Sequence, residues 1–178
     1  MKERVREAVF NLLGREVRGT HAIDLFAGTG ALGLEAVSRG AASVTLIEQH
    51  IPTACVIQQN VASLGLTECA SVVTGSVFAW IQRQPWSQFP LRPWTVFCSP
   101  PYDFYIERER ETLGLLQMLH EHAPDGSWFV VETDARFDME RLGTLGAWDV
   151  RTYPPAVVAI HCREPLELPE SPHADRTP

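Results

Sequence analysis

The stretch that decides the fold is His21-Ala22-Ile23-Asp24-Leu25-Phe26-Ala27-Gly28-Thr29-Gly30-Ala31-Leu32-Gly33. Its first six residues are short and mostly apolar, which predicts a strand. Gly28-Thr29-Gly30 then makes a tight turn, and a helix is expected over Ala31–Ser38, ended by Gly40. The glycines stand as G-x-G-x-x-G, a spacing that lets backbone approach a ligand closely. Glu48 follows about 20 residues later, at the end of a second predicted strand. A carboxylate there can accept hydrogen bonds from ribose hydroxyls. Read alone, the pattern suits a dinucleotide, or at its plainest a turn that needs glycine.

Outward from this unit the alternation continues. Val5, Val9, Phe10, Leu12 and Leu13 recur at helical spacing in residues 2–13. Strands are predicted over 21–26, 43–48, 70–74, 94–98 and 127–132. Helices are predicted from Pro52 to Leu64, over 77–81 and over 106–122. Residues 82–94 hold Pro85, Pro90 and Pro93 among Trp86, Phe89 and Trp94, and read as a loop. Strands 148–153 and 157–162 flank Pro154-Pro155 too closely for a helical crossover, so they should pair antiparallel. Strand–helix alternation implies an α/β fold, a mostly parallel sheet with helices on both faces. Ligands of such sheets bind at the carboxyl ends of the strands. One domain is expected over 1–162. The polar, Pro-rich residues 163–178 are expected to be disordered.

The composition excludes several classes. The chain has 178 residues, and 15 Lys+Arg against 22 Asp+Glu give a formal charge of −7. That balance argues against bulk electrostatic attraction to nucleic acid, although residues 1–19 are locally basic. No apolar run reaches the length of about 20 residues that a membrane helix needs. The charged N-terminus lacks the apolar core of a signal peptide, so a cytoplasmic location is expected. Cys55, Cys69, Cys98 and Cys162 form no CxxC pair, and the histidines are scattered, so no metal is expected. The run Glu107-Arg108-Glu109-Arg110-Glu111 reads as a solvated helix face or as arginines beside the loop after strand four.

That loop is Ser99-Pro100-Pro101-Tyr102. Two prolines fix the backbone and remove two N–H donors. Carbonyls and the Ser99 hydroxyl remain as acceptors, with an aromatic ring beside them. The set suits an exocyclic amine on a planar base, bonded to Ser99 and the Pro100 carbonyl and stacked on Tyr102. Asp24 favours S-adenosylmethionine (SAM) over a dinucleotide, because a carboxylate attracts the cationic methionine end and repels a pyrophosphate.

On three stretches, KERVREAVFNLL, DLFAGTGALGLEAVSRGAASVTLIEQ and the strand leading to SPPY, residues 2–162 resemble the bacterial 16S rRNA guanine-N2 methyltransferase family, the RsmD type. The resemblance implies a class I methyltransferase, a three-layer sandwich around a seven-stranded sheet whose last strand is antiparallel. It implies methyl transfer from SAM to the N2 amine of a guanine in 16S rRNA or an assembling small ribosomal subunit; nothing in the sequence suggests more than a monomer. Position by position it assigns Asp24, Phe26, Ala27, Gly28, Gly30, Glu48, Gln49 and Ser76 to the cofactor. It assigns Ser99, Pro100, Pro101 and Tyr102 to catalysis. The family loop usually begins with Asp where this chain has Ser99, and the family has a further basic N-terminal stretch that the sequence as given starts after. The serine keeps other amines open, cytosine N4 in DNA or a protein glutamine, as well as a non-catalytic RNA-binding relative. A NAD-dependent enzyme is the remaining alternative.

Overall fold

A computed structural model describes residues 3–164; most of the expected disordered tail, from residue 165, lies outside the described residues. Seven strands form one sheet in the order β3-β2-β1-β4-β5-β7-β6. The strands are β1 (His21–Asp24), β2 (Ser43–Glu48), β3 (Ala70–Thr74), β4 (Trp94–Cys98), β5 (Trp128–Asp134), β6 (Asp149–Tyr153) and β7 (Ala156–Cys162). The first five are parallel, and β7 runs antiparallel between β5 and β6.

Helices α1 (Glu3–Leu13), α2 (Ala31–Ser38) and α3 (Ile51–Ser63) cover one face. Their buried residues, Val9, Phe10, Leu32 and Ile57 among them, share a core with Val44, Leu46 and Phe97. Helices α4 (Val77–Ile81), α5 (Phe104–Glu107) and α6 (Glu109–His122) cover the other face, where Leu115, Leu116 and Leu119 pack on Ile23, Val96 and Phe129. The middle strands β1 and β4 are buried along their whole length, as expected for a parallel sheet covered on both sides. No helix among the described residues is long and apolar enough to cross a membrane.

Two expectations need correction. The helix expected over 106–122 is broken at Arg108, whose backbone leaves helical geometry (φ −127°, ψ 31°). Its guanidinium lies over the rings of Phe78 at 4.1 Å and Phe104 at 5.1 Å and bonds Glu111. The charged run is therefore not one solvated face: the ring contacts draw Arg108 inward. Arg163, assigned to the disordered tail, is anchored. Its N–H donates to the Ser127 carbonyl at 2.8 Å and its Nε to that of His120 at 3.0 Å.

Candidate active site

The strand order reverses between β2-β1 and β4-β5, and a cavity of about 460 Å³ opens there at the carboxyl ends. Phe26 and Gly28 line it from the turn after β1, Glu48 and Gln49 from the end of β2, and Ser76 and Phe78 from the start of α4. The whole loop Ser99–Tyr102 and Glu132 of β5 complete the wall.

The half around β1 is built on backbone donors. Gly28 (φ +54°) and Gly30 (φ +84°) hold left-handed conformations that only glycine adopts without strain. The Gly28 N–H donates to Glu48 Oε2 at 2.8 Å, and the His50 N–H to Oε1 at 2.7 Å. The acid is thereby fixed at the cavity wall with lone pairs to spare. Gly33 serves packing: a Cβ there would lie 2.7 Å from Leu46 Cδ2 and 2.9 Å from Val44 Cγ2. Its N–H donates to Asp24 Oδ2 at 3.0 Å.

Asp24 does not line the cavity. It is 1% exposed, and its Oδ1 has no partner. Burial pushes its carboxyl up to about 7, against the pull of the Gly33 and Phe26 N–H groups. Asp24 supports the start of α2 from beneath through the Gly33 N–H, where the sequence suggested reach to a ligand directly or through water. Ala27 and Gly30 likewise stand behind the wall rather than in it. Ser76 leads into α4, and its hydroxyl makes no capping bond.

The half around β4 is built on side chains. Ser99 Oγ donates to Glu132 Oε2 in a short bond, and Tyr102 Oη donates to Glu132 Oε1 at 3.0 Å. Glu132 is 2% exposed. It sits beside Ser99 because β4 and β5 pair in register up to Cys98 and Val131. Burial first, then the Glu132 charge, pushes the Tyr102 phenol up to about 12, so it keeps its proton. Beneath the loop, the buried Tyr105 hydroxyl donates to the Cys98 carbonyl at 3.3 Å. The Phe104 N–H closes the turn on the Pro101 carbonyl at 2.9 Å.

The structure thus brings together all four loop residues, Phe26, Gly28, Glu48, Gln49 and Ser76. Sequence reasoning missed Glu132 and Tyr105. Glu132 carried a usable signal, a carboxylate ending the apolar run Trp128–Val131 just as Glu48 ends Val44–Ile47. Among the described residues no group of three or more His, Cys, Asp and Glu could hold a metal ion.

Known proteins resemble this chain in sequence and fold. YlbH of Bacillus subtilis, provisionally named an rRNA methyltransferase, is 28% identical over 162 residues, 89% of this chain and 84% of its own length. The ribosomal RNA small subunit methyltransferase D of Escherichia coli is 33% identical over 130 residues, 73% of this chain but 58% of the relative. Among solved structures, a T. thermophilus 16S rRNA N2 methyltransferase (RsmC) in complex with AdoMet and guanosine superposes with a TM-score of 0.68. That match has 20% identity and covers 89% of this chain and 41% of the other, which establishes the shared class I methyltransferase fold. The family model described as conserved hypothetical protein 95 matches residues 1–161, and the chain accordingly belongs to that family, the RsmD family.

Proposed function

We propose that this protein transfers a methyl group from SAM to the exocyclic N2 amine of a guanine in small-subunit rRNA. The observation that carries the reading is one cavity with two differently built walls: a glycine turn with a ribose-accepting acid, facing a proline loop rich in acceptors.

The residues of the first wall fit SAM. A Cβ at Gly28 would have no atom within 4 Å, so a ligand has room to lie against this backbone. Glu48 retains lone pairs for ribose hydroxyls, and Ile47, Val77 and Phe78 offer apolar surface to a purine beside Gln49 and Ser76. When bound, SAM supplies an electrophilic methyl group on a sulfonium.

The chain's own part is positioning and electrostatics. Pro100 and Pro101 have no N–H, and no group among the described residues donates to the Pro100 carbonyl. That carbonyl and the Ser99 oxygen would accept the two amine hydrogens and leave the nitrogen lone pair free for the methyl; once the new nitrogen–carbon bond has replaced the methyl–sulfur bond, the nitrogen would release one proton to solvent. The Tyr102 ring, tethered through its hydroxyl, gives the base a stacking surface. The relatives named for rRNA methylation and the structural neighbour with guanosine support the guanine reading. Three arginines near the loop are already paired, Arg136 with Asp103 and Asp134, Arg141 with Glu109 and Arg108 with Glu111, while Arg110 is exposed. RNA recognition by this chain is therefore expected to rest on shape more than bulk charge, and to weaken with salt.

The test is to incubate the protein with labelled SAM and small subunits from cells lacking it, then map the label by mass spectrometry. Label on N2 of a single guanine is the expected result. Label on another atom of the RNA would overturn the guanine reading, and label on subunit protein would favour the glutamine reading that Ser99 keeps open. Absence of label on any RNA would sink the proposal.

A further inference from the structure

Glu132 is a buried carboxylate without a cation. Its two oxygens receive one hydroxyl hydrogen each, from Ser99 and Tyr102, and among the described residues no Arg, Lys or His pairs with it. Val131 and Thr133 beside it are fully buried without charge. A buried acid held only by two hydroxyl donors is costly unless something further meets it, and Glu132 reaches the cavity wall.

A hydroxyl has one hydrogen and two lone pairs. With both hydrogens committed to Glu132, the Ser99 and Tyr102 oxygens can present only lone pairs to the cavity. The prolines beside them contribute no N–H. The side chains of this wall therefore accept and do not donate. They welcome an amine and repel a carbonyl oxygen, such as guanine O6 or a uracil oxygen. The negative charge behind Ser99 also favours positive charge on the attacking nitrogen. Ser99 alone, neutral and short, would fix neither property.

We propose that Glu132 is the positioning residue that sets the polarity of the methyl-acceptor site, acting through Ser99 and Tyr102, so that the site selects an amine over a carbonyl. Its carboxyl group reaches the site from β5, so a carboxylate placed at position 99 should stand in for it. The inference deepens the methyltransferase reading and rests on it.

Three proteins test it: wild type, Glu132→Gln, and Glu132→Gln combined with Ser99→Asp. Each is assayed for methylation of small subunits. Affinity for S-adenosylhomocysteine, and for guanosine in its presence, is measured by calorimetry. Glu132→Gln should lower kcat about a hundredfold, the scale of losing one preorganised polar group at a reacting centre. It should weaken guanosine binding about tenfold and leave S-adenosylhomocysteine affinity within about twofold. Ser99→Asp added to it should recover at least about tenfold of the lost rate, which a merely structural role for Glu132 would not allow. Glu132→Gln activity within about threefold of wild type overturns the inference alone. So does loss of S-adenosylhomocysteine binding in step with activity, or absence of any recovery. A wild type that methylates no RNA overturns the methyltransferase reading, and the inference with it.

Discussion

The two sides of the cavity hold their acids, those in the wall and Asp24 behind it, by opposite means. Glu48 and Asp24 are bonded by backbone N–H groups of Gly28, His50 and Gly33. Glu132 is bonded by two side-chain hydroxyls. Backbone donors come with the fold, so the first wall is part of the sheet–helix junction, and changes to it should register in stability. Hydroxyl donors are optional to the fold. Damage to the second wall should register as lost turnover at nearly constant stability. The difference separates a wall that holds a ligand from one that handles the reacting group.

The largest expected effect belongs to Asp24 and tests whether the first wall is structural. Its carboxyl is raised by burial to about 7, while the unfolded chain loses that proton near 4. Between those values the folded state holds a proton that the unfolded state has released. Stability from this group is thus highest at low pH and falls as pH rises towards 7. Asp24→Asn cannot ionise. Relative to wild type it should gain about 1.4 kcal/mol for each pH unit crossed, up to about 4 kcal/mol in all. The variant–wild-type difference isolates Asp24 from His21, whose buried ring, lowered to about 4, acts in the opposite sense. Urea unfolding at several pH values measures it. A pH-independent difference would mean that Asp24 is charged in the native state and that the wall has a different basis.

Gly33→Ala breaks the same wall by volume. The added Cβ meets Leu46 and the stiff Val44 below 3 Å, an overpacking worth about 1–3 kcal/mol. At about 2–4 °C per kcal/mol for a domain of this size, Tm should fall by about 2–12 °C in calorimetry. An unchanged Tm would show that α2 can lift off β2, and the contrast between the walls would lose its physical ground.

This contrast also explains what could be read in advance. The first wall is local: Gly28, Gly30 and Gly33 follow β1 within ten residues, and each role leaves a glycine in the sequence. The parallel sheet followed from strand–helix alternation, and the antiparallel β6–β7 pair from its short connection. The second wall joins residues 30 and 33 positions apart, through a β4–β5 register that no local pattern states. Ser99 and Tyr102 were visible as chemistry, but the acid that orients them was not. The break at Arg108 was hidden for a similar reason, since the ring of Phe78 that attracts it lies 30 residues earlier. Asp24 was placed correctly in β1, but a carboxylate inside a strand looks the same in sequence whether it faces a ligand or the underside of a turn.

On the second wall, Ser99→Ala removes the donor to Glu132 Oε2 and the proposed acceptor for the amine. The loss should be about 1–3 kcal/mol, about 5- to 150-fold in kcat/KM for small-subunit methylation. S-adenosylhomocysteine affinity should be unchanged. Equal losses in cofactor binding and turnover would erase the distinction between a holding wall and a reacting wall.

Tyr102→Phe is the mildest and the most discriminating change. It keeps the ring for stacking and removes only the hydroxyl that donates to Glu132 Oε1 at 3.0 Å. Tyr102 is half-buried, so water can replace part of the lost bond, and the expected cost is about 1 kcal/mol, roughly fivefold in turnover. If Tyr102 served by stacking alone, this variant would match wild type, whereas Tyr102→Leu would be strongly impaired. If its main role is to hold Glu132 with Ser99, Tyr102→Phe should lose little further activity in a Glu132→Gln background, because the acid it serves has already lost its charge. Comparing the single and double variants in one methylation assay therefore divides Tyr102 between its ring and its hydroxyl.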